Sequence, residues 1–225
     1  REQVMQYGED DLHFITRLLA EVGIWFRFTT DTRLNIEVEE FYDGQQGYEK
    51  NLTLPSVPPS GQHSEGLDSV WGMESHHNVV QKQVSTHDYN YCQATLDMNT
   101  LVDATHGDTT TCGEAYHYAD NYLTPGSAFD RNPAAESGAF YARIRHERYL
   151  NGQTQIHALT SCPTLVPGQV LKVTGGCEVA DVFAHGVVIT AMQSHARRDK
   201  DFSVRLVGIP DSTDFSFRPK PGSRP

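Results

Sequence analysis

Apolar residues recur at three- and four-residue spacing near the start of the chain, which predicts an amphipathic helix over residues 10–22. The apolar stripe contains Leu12, Ile15, Leu18, Leu19 and Val22. We expect Asp10 to cap the N-terminus of this helix, and we expect Gly23 to end it as a left-handed residue.

A β-hairpin is predicted directly after this helix. Residues 24–28 favour one strand, and apolar and polar residues alternate from Leu34 to Glu39 as in a half-buried second strand. Two of the three aromatic residues Trp25, Phe26 and Phe28 must share a face of the first strand. Core packing is favoured for them over a ligand-stacking platform.

The middle of the chain alternates between turn-rich and strand-like stretches. Residues 43–66 are rich in Gly and Pro and predict a loop or interdomain link. Two long strands are predicted over 67–76 and 79–89, and a short aromatic strand over 114–118. Residues 95–113 show little periodicity.

A second helix is predicted near 133–150, with Asn132 as N-cap and Pro133 as its first residue. Its buried side is expected to contain Phe140, Tyr141 and Ile144, and its charged residues are expected to be solvated. Four further strands are predicted over 153–160, 170–174, 186–193 and 202–208.

Composition excludes several partners rather than naming one. The net charge of −11 argues against a nucleic-acid surface and against docking on anionic lipid. The mean hydropathy is −0.50, and no apolar run approaches the roughly 18 residues that a membrane helix needs. We therefore expect a soluble, acidic, globular protein.

Candidate catalytic chemistry is sparse. The chain has no nucleophile elbow, dinucleotide fingerprint or Walker loop, and His146-Glu147 is not followed by the second histidine of a zinc-protease helix. His76, His77 and His87 form the best metal candidate, although ordinary surface histidines are favoured there.

The four cysteines are too widely spaced for a zinc ribbon and too few for a disulfide scaffold. Reduced thiols are therefore the favoured interpretation. One disulfide between Cys162 and Cys177 is the alternative.

Residues 6–28 resemble the signature of the VgrG family, the spike proteins of type VI secretion, which are related to hub proteins of contractile phage tails. Asp10 stands where that signature commonly has Ser, and both residue types cap helices. Later family segments are resembled in the same order by residues 138–147, 161–168, 187–194, 202–210 and 217–219, whereas 90–130 match poorly. The positions that carry the resemblance are Gln6, Tyr7, Asp11, Phe14, Arg17, Leu18, Leu19, Gly23, Ile24, Pro167 and Gly168.

The resemblance implies an α+β, mainly β fold: a strand-helix-hairpin unit and an antiparallel β-barrel of the phage tail hub type with a helix-containing insertion. The implied domains are a unit over 1–62, an interrupted barrel over 63–94 and 153–210, an insertion over 95–152, and a linker over 211–225 to a further small barrel. Because the chain opens on Arg1 and ends Pro-rich, we expect both ends to be cut points and the isolated chain to be monomeric or weakly associated.

The implied function is structural: the hub of a homotrimeric, membrane-puncturing spike that adapts a sixfold Hcp-type tail tube to a threefold tip and carries effectors or adaptors. The resemblance implies no cofactor, no catalysis and membrane contact only by mechanical puncture, with assembly in the bacterial cytoplasm before secretion or injection. A baseplate hub of a phage-like particle and an uncharacterised metal-dependent enzyme are the alternatives.

Charge is distributed unevenly along the chain. Residues 1–50 contain eleven acidic and five basic residues. This predicts an acidic face centred on Glu37, Glu39 and Glu40, whose partner should be basic.

Overall fold

The structure is a computed structural model that describes residues 4–57, 66–105, 107–118, 120–175, 181–212 and 215–221. The described helices are α1 (Asp11–Glu21), α2 (Gly138–Asn151) and α3 (Asp181–His185), with short 3₁₀ turns at Gln45–Gly47 and Tyr91–Gln93. The strands are β1 (Trp25–Asp31), β2 (Ile36–Tyr42), β3 (Glu49–Pro55), β4 (Val70–His77), β5 (Gln83–His87), β6 (Thr100–Val102), β7 (Glu114–Tyr118), β8 (Thr154–Thr160), β9 (Gln169–Thr174), β10 (Val187–Arg197) and β11 (Lys200–Pro210).

These elements fall into two units. The first unit comprises Arg1–Trp25, Val79–Gly152 and Asp214–Pro225, and the second comprises Phe26–Asn78 and Gln153–Thr213. The domain boundaries expected from the family resemblance stay a prediction, but several individual elements can be compared with it directly.

In the first unit, helix α1 begins and ends as the sequence predicts. The side chain of Asp10 accepts a hydrogen bond from the His13 amide at 2.7 Å, and Gly23 has a φ of +79°. The apolar stripe is only partly covered, because Leu12 and Ile15 remain exposed.

Helix α2 packs on a three-stranded sheet ordered β6-β5-β7, in which β5 is antiparallel to β6 and parallel to β7. Its small residues Ala139 and Ala142 contact Val84 and Val102. The prediction of a long strand over 79–89 is wrong. Only Gln83–His87 form a strand, which pairs with β6 and β7.

The start of helix α2 also differs from the prediction. Ser137, not Asn132, is the N-cap, and its side chain accepts from the Phe140 amide at 3.2 Å. Glu136 immediately before it has a φ of +59°, so the chain turns there and the helix cannot extend back to Pro133. Ile144 and Tyr141 are buried as predicted.

The second unit is built on a six-stranded, curled half-barrel sheet with the order β3-β9-β10-β11-β8-β4. Its pairs are antiparallel except β3 with β9. At one end the two edge strands approach, since Ser56 bridges Val70 and the Val57 amide donates to the Val70 carbonyl at 3.2 Å. The fold class predicted from the sequence, mainly β with few helices, is confirmed.

The inward side chains of this sheet form a core together with Cys162 and Leu165 from the loop between β8 and β9 and Phe183 from α3. It consists of Leu54, Val70, Ile156, Ala158, Cys162, Leu165, Leu171, Val173, Phe183, Val187, Ile189, Val204 and Leu206. Strand β3 lies within the stretch 43–66 that was predicted to be a loop, so that prediction is wrong for these residues. Leu52 and Leu54 alternate with polar residues as in a strand, but the many Gly and Pro residues around them favour a loop.

Strands β1 and β2 form a separate two-stranded hairpin.

Among the described residues, no helix combines the length and the hydrophobicity that crossing a bilayer requires.

Candidate functional site

The signature segment folds into a hydrogen-bonded loop in front of helix α1. The Gln6 amide group donates to the Asp11 carboxylate at 2.9 Å and to the Glu9 carbonyl at 3.1 Å. Two of the signature positions, Gln6 and Asp11, are therefore in direct contact, and they fix the chain where it enters the helix.

Arg17 is the buried centre of this segment. Its guanidinium pairs with Glu9 at 2.6 Å and reaches the Met5 carbonyl at 3.4 Å, while the charge lies over the Phe14 ring at 5.4 Å. The hydrogen bond from Arg17 lowers the pKa of the Glu9 carboxyl. Glu9 was not among the predicted site residues, although it stands eight positions before Arg17 in a conspicuously acidic run.

The other signature positions are dispersed. Leu18, Leu19 and Ile24 are half-buried, whereas Tyr7 is 85% exposed. In the second unit, Pro167 and Gly168 form the turn before β9, where the Gly168 amide donates to the Ile189 carbonyl at 2.8 Å. A role for these residues in assembly stays a prediction.

Glu147 on helix α2 is the most buried carboxylate of the first unit, with 1% of its surface exposed. It accepts from Arg143 Nε at 2.9 Å and from Arg218 Nε at 2.5 Å. Arg218 also donates to the Gly23 carbonyl at 2.9 Å. The prediction that the charged residues of α2 are solvated is therefore wrong, because they hold neighbouring segments.

Residues 215–221 are held along α2 by further hydrogen bonds. Asn151 accepts from the Arg218 amide at 2.7 Å and donates to the Ser216 carbonyl at 3.0 Å. Arg148 donates to the carbonyls of Pro219 and Ala20. Burial, together with the charges of Arg145 and Arg218, lowers the pKa of Arg148 to about 10, so it remains charged at neutral pH.

His146 is fully buried and forms two hydrogen bonds that fix its tautomer. Nδ1 accepts from the Ala104 amide at 2.9 Å, which assigns the proton to Nε2, 3.1 Å from the Gln81 carbonyl. Burial lowers the pKa of this imidazole below its usual 6.5.

We expect the first unit to lose stability as the pH falls below about 6.5. His146 then binds a proton in the unfolded chain, whereas burial keeps it neutral in the folded chain. Urea midpoints between pH 7.5 and 5.5 test this, and His146→Asn should flatten the slope. His195→Asn, at an exposed position, is the control and should leave the slope unchanged. Equal slopes for all three chains would contradict the assignment.

One face of the β1–β2 hairpin carries a charge cluster around the buried Arg27. Arg27 pairs with Glu40 at 2.8 Å and with Glu49 at 2.6 Å, and its guanidinium lies over the Tyr42 ring at 5.5 Å. Hydrogen bonds from Arg27 and Tyr42 lower the pKa of Glu40. Glu40 therefore does not belong to the acidic face predicted for this strand; Glu37 and Glu39 are exposed and form it.

The opposite face of the hairpin is aromatic. The Phe26 ring lies 5.9 Å from both the Phe28 and the Phe41 rings, and Phe28 and Phe41 are 60% and 50% exposed. The expectation of core packing is met by Trp25 but is wrong for Phe28. We call Phe26, Phe28 and Phe41 the hairpin aromatic face.

The metal candidate from the sequence is not assembled. His76 and His77 lie on β4, whereas His87 lies on β5 in a different sheet. Instead, His76 packs edge-on against His157 at 5.1 Å, and His77 contacts Thr154. In the described part of the chain, no group of three or more His, Cys, Asp or Glu could hold a metal ion.

Cys92, Cys112 and Cys162 are free thiols. Cys177, the proposed disulfide partner of Cys162, lies outside the described residues.

Comparison with known proteins places this β-rich architecture among tail hub proteins. Residues 1–200 match the phage tail baseplate hub (GPD) family, and the chain belongs to that family. Among curated proteins, no significant match was found.

A solved structure described as the E. coli c3393 protein is 38% identical, with a TM-score of 0.65 over 100% of this chain. It is described as a component of the type VI secretion system with structural similarity to the T4 bacteriophage tail proteins gp27 and gp5. The VgrG-type, phage-hub-related resemblance predicted from the sequence is thereby confirmed.

Two tail proteins share the fold at low identity. One, from Neisseria meningitidis MC58, has a TM-score of 0.57 at 11% identity over 93% of this chain. The other, the prophage MuSo2 43 kDa tail protein from Shewanella oneidensis, has a TM-score of 0.55 at 9% identity over 94%. The chain spans 44% of the c3393 protein and 57% and 56% of these two.

Proposed function

We propose that this chain is the hub part of a homotrimeric type VI secretion spike that joins a sixfold Hcp-type tube to a threefold tip and carries effectors or adaptors. The role is mechanical and structural, and we assign no catalysis to it. The spike assembles in the bacterial cytoplasm and is then secreted or injected, so that it meets a membrane only by puncture.

The hairpin aromatic face is the observation that carries this proposal. A two-stranded hairpin is marginal on its own, and contiguous exposed aromatic rings mark surfaces that another protein covers. Aromatic residues are also enriched at the centres of stable subunit interfaces. We infer that this face packs against another subunit of the trimer.

Glu37 lies on the same face of β2 as Phe41, and Glu39 lies between them. Carboxylates beside an apolar centre are the arrangement of an interface core and its polar rim. The surface that covers this hairpin should therefore carry basic side chains around an apolar centre.

A chimaera tests the proposed function. The corresponding region of the E. coli c3393 protein is replaced by this chain, which aligns over its whole length. We expect the chimaera to form a trimer by light scattering and to support secretion of the tube protein. A chimaera that accumulates and folds by circular dichroism but supports neither would contradict the proposal.

The Phe28→Glu/Phe41→Glu chimaera isolates the hairpin aromatic face. Burying two uncompensated carboxylates at an interface should lower trimer formation and secretion about tenfold or more. Phe129→Glu is the matched control, since this phenylalanine is exposed outside the hairpin. If the double variant assembles as the unchanged chimaera does, the hairpin is not part of the subunit interface.

A phage-like contractile particle is the second candidate, because the family description is that of a phage tail baseplate hub. The neighbouring genes decide between the two contexts. Sheath, tube and membrane-complex genes of secretion type support the first, whereas capsid genes support the second.

A further inference from the structure

The three-stranded sheet of the first unit has one covered and one open face. Val84 and Thr86 of β5 and Thr100 and Val102 of β6 are buried. The alternate positions point the other way: Tyr116 and Tyr118 of β7 are 62% and 59% exposed, and Leu101 of β6 is 47% exposed. We call Leu101, Tyr116 and Tyr118, with Ser85 and His87 between them, the tyrosine sheet face.

The strand pairing and one ring contact position the residues of this face. His87 stacks on Tyr118 with ring centroids 5.6 Å apart, and the parallel pairing of β5 with β7 sets Ser85 beside Tyr116. Nδ1 of His87 is buried and forms no hydrogen bond within the described residues. Tyr118 is therefore oriented by its stacking on His87, and Tyr116 lies beside it on the same exposed face.

Carboxylates accompany these rings. Glu114, on the same face of β7, is held by Ser85 and by Gln83 at 3.0 Å, and these hydrogen bonds lower its pKa. Asp97 is exposed and close enough to His87 to interact with it electrostatically. Both acids are oriented by their neighbours, and neither is paired with an Arg or Lys in the described contacts.

The charge of the surrounding segment has the same sign. Residues 79–130 contain seven acidic residues and a single basic one, Lys82. Asp120 of this set is neutralised by Arg145, and the others leave the segment strongly negative. Such a field attracts cationic partners and repels nucleic acid and anionic lipid.

We propose that the tyrosine sheet face docks an arginine-containing segment of a partner protein. A guanidinium stacks on tyrosine rings and forms bidentate hydrogen bonds with carboxylates. This face presents tyrosine rings and carboxylates side by side. Leu101 supplies an apolar contact for the partner's side-chain stems. The proposal concerns a different surface from the hairpin and does not depend on the proposed function.

Fluorescence anisotropy with three labelled 12-residue peptides, alternating Ser with Arg, Lys or Glu, tests the proposal on the full 225-residue chain. We expect the Arg peptide to bind, the Lys peptide to bind several-fold more weakly, and the Glu peptide not to bind. Binding of the Arg peptide should weaken as salt rises from about 0.05 to 0.3 M.

Variants locate the site. Tyr116→Ala/Tyr118→Ala should weaken Arg-peptide binding about tenfold, Glu114→Gln about threefold, and Tyr118→Phe hardly at all, because the ring is kept. Tyr7→Ala and Glu74→Gln are controls at other exposed positions and should bind as the unchanged chain does. Amide shifts in an NMR titration should cluster on β5 and β7.

Three outcomes overturn the proposal. The first is equal loss of binding in Glu74→Gln and Glu114→Gln, which would mean attraction to net charge alone. The second is unchanged binding in the double tyrosine variant, provided that its circular dichroism matches the unchanged chain. The third is salt-independent binding of a neutral oligosaccharide such as cellohexaose at these tyrosines, which would make the face a glycan platform.

Discussion

Glu147→Gln should lower the free energy of unfolding by about 3 kcal/mol, because breaking a buried ion pair leaves the arginine charges without a counter-charge. Glu147 pairs with both Arg143 and Arg218, and it is almost completely removed from solvent. The isosteric amide keeps the shape and removes the charge. Urea denaturation followed by circular dichroism measures the loss.

The location of the damage is part of the same prediction. Arg218 connects helix α2 to the Gly23 carbonyl, so hydrogen exchange should rise in residues 215–221 and at the end of α1. Arg218→Gln should give a similar pattern. The double variant should lose less stability than the sum of the two single variants, since each single change already removes the same Glu147–Arg218 ion pair.

Glu39→Gln is the matched control for this carboxylate, because Glu39 is exposed on the hairpin. It should change the free energy of unfolding by less than about 0.5 kcal/mol. If Glu147→Gln were equally mild, or if exchange rose only outside residues 215–221, Glu147 would not hold residues 215–221 on α2 through Arg218.

Local signals in the sequence were sufficient to locate helix α1 and four of the strands. The spacing of apolar residues and the Asp10 cap located α1, and alternation located β8, β9, β10 and β11 to within a few residues. The fold class followed from the family resemblance, which rested on ordered motifs rather than on periodicity.

Sequence reasoning failed where tertiary context decides. Strand β3 carries only two inward leucines between Gly- and Pro-rich turns, and its parallel partner β9 lies more than 100 positions away. Helix α2 is hydrophobic on no single face, since it buries His146 and Glu147 as well as Ile144. A local pattern cannot show that a charged helical residue has a distant partner.

The exposed aromatic faces were missed for a related reason. An exposed Phe28 or Tyr116 has the same local pattern as a buried one, because a strand alternates identically whether or not its outer face is covered. Charge was the useful signal: the acidic excess pointed to Glu37 and Glu39, which are exposed. Glu40 lies on the opposite face of the strand, where it pairs with Arg27.

Gly208→Ala is expected to disrupt the centre of the six-stranded sheet. A Cβ at this position would lie 2.5 Å from Val187 Cγ1 and 2.7 Å from the Val188 carbonyl oxygen, and the backbone atom cannot rotate away. Because Gly208 sits opposite the bulge where the β10–β11 register shifts after Ile189, relief of the clash requires the pairing to move. Overpacking of this kind should cost about 3 kcal/mol.

A second glycine in the same unit separates this clash from the general effect of replacing glycine. Gly66 has a φ of +72°, and no atom of the described residues lies within 4 Å of an added Cβ, so Gly66→Ala should lose only about 1 kcal/mol through backbone strain. Urea midpoints and hydrogen exchange in β10 and β11 distinguish the two variants. Equal losses would place the cost in the backbone conformation and would mean that β10 and β11 tolerate a side chain at Gly208.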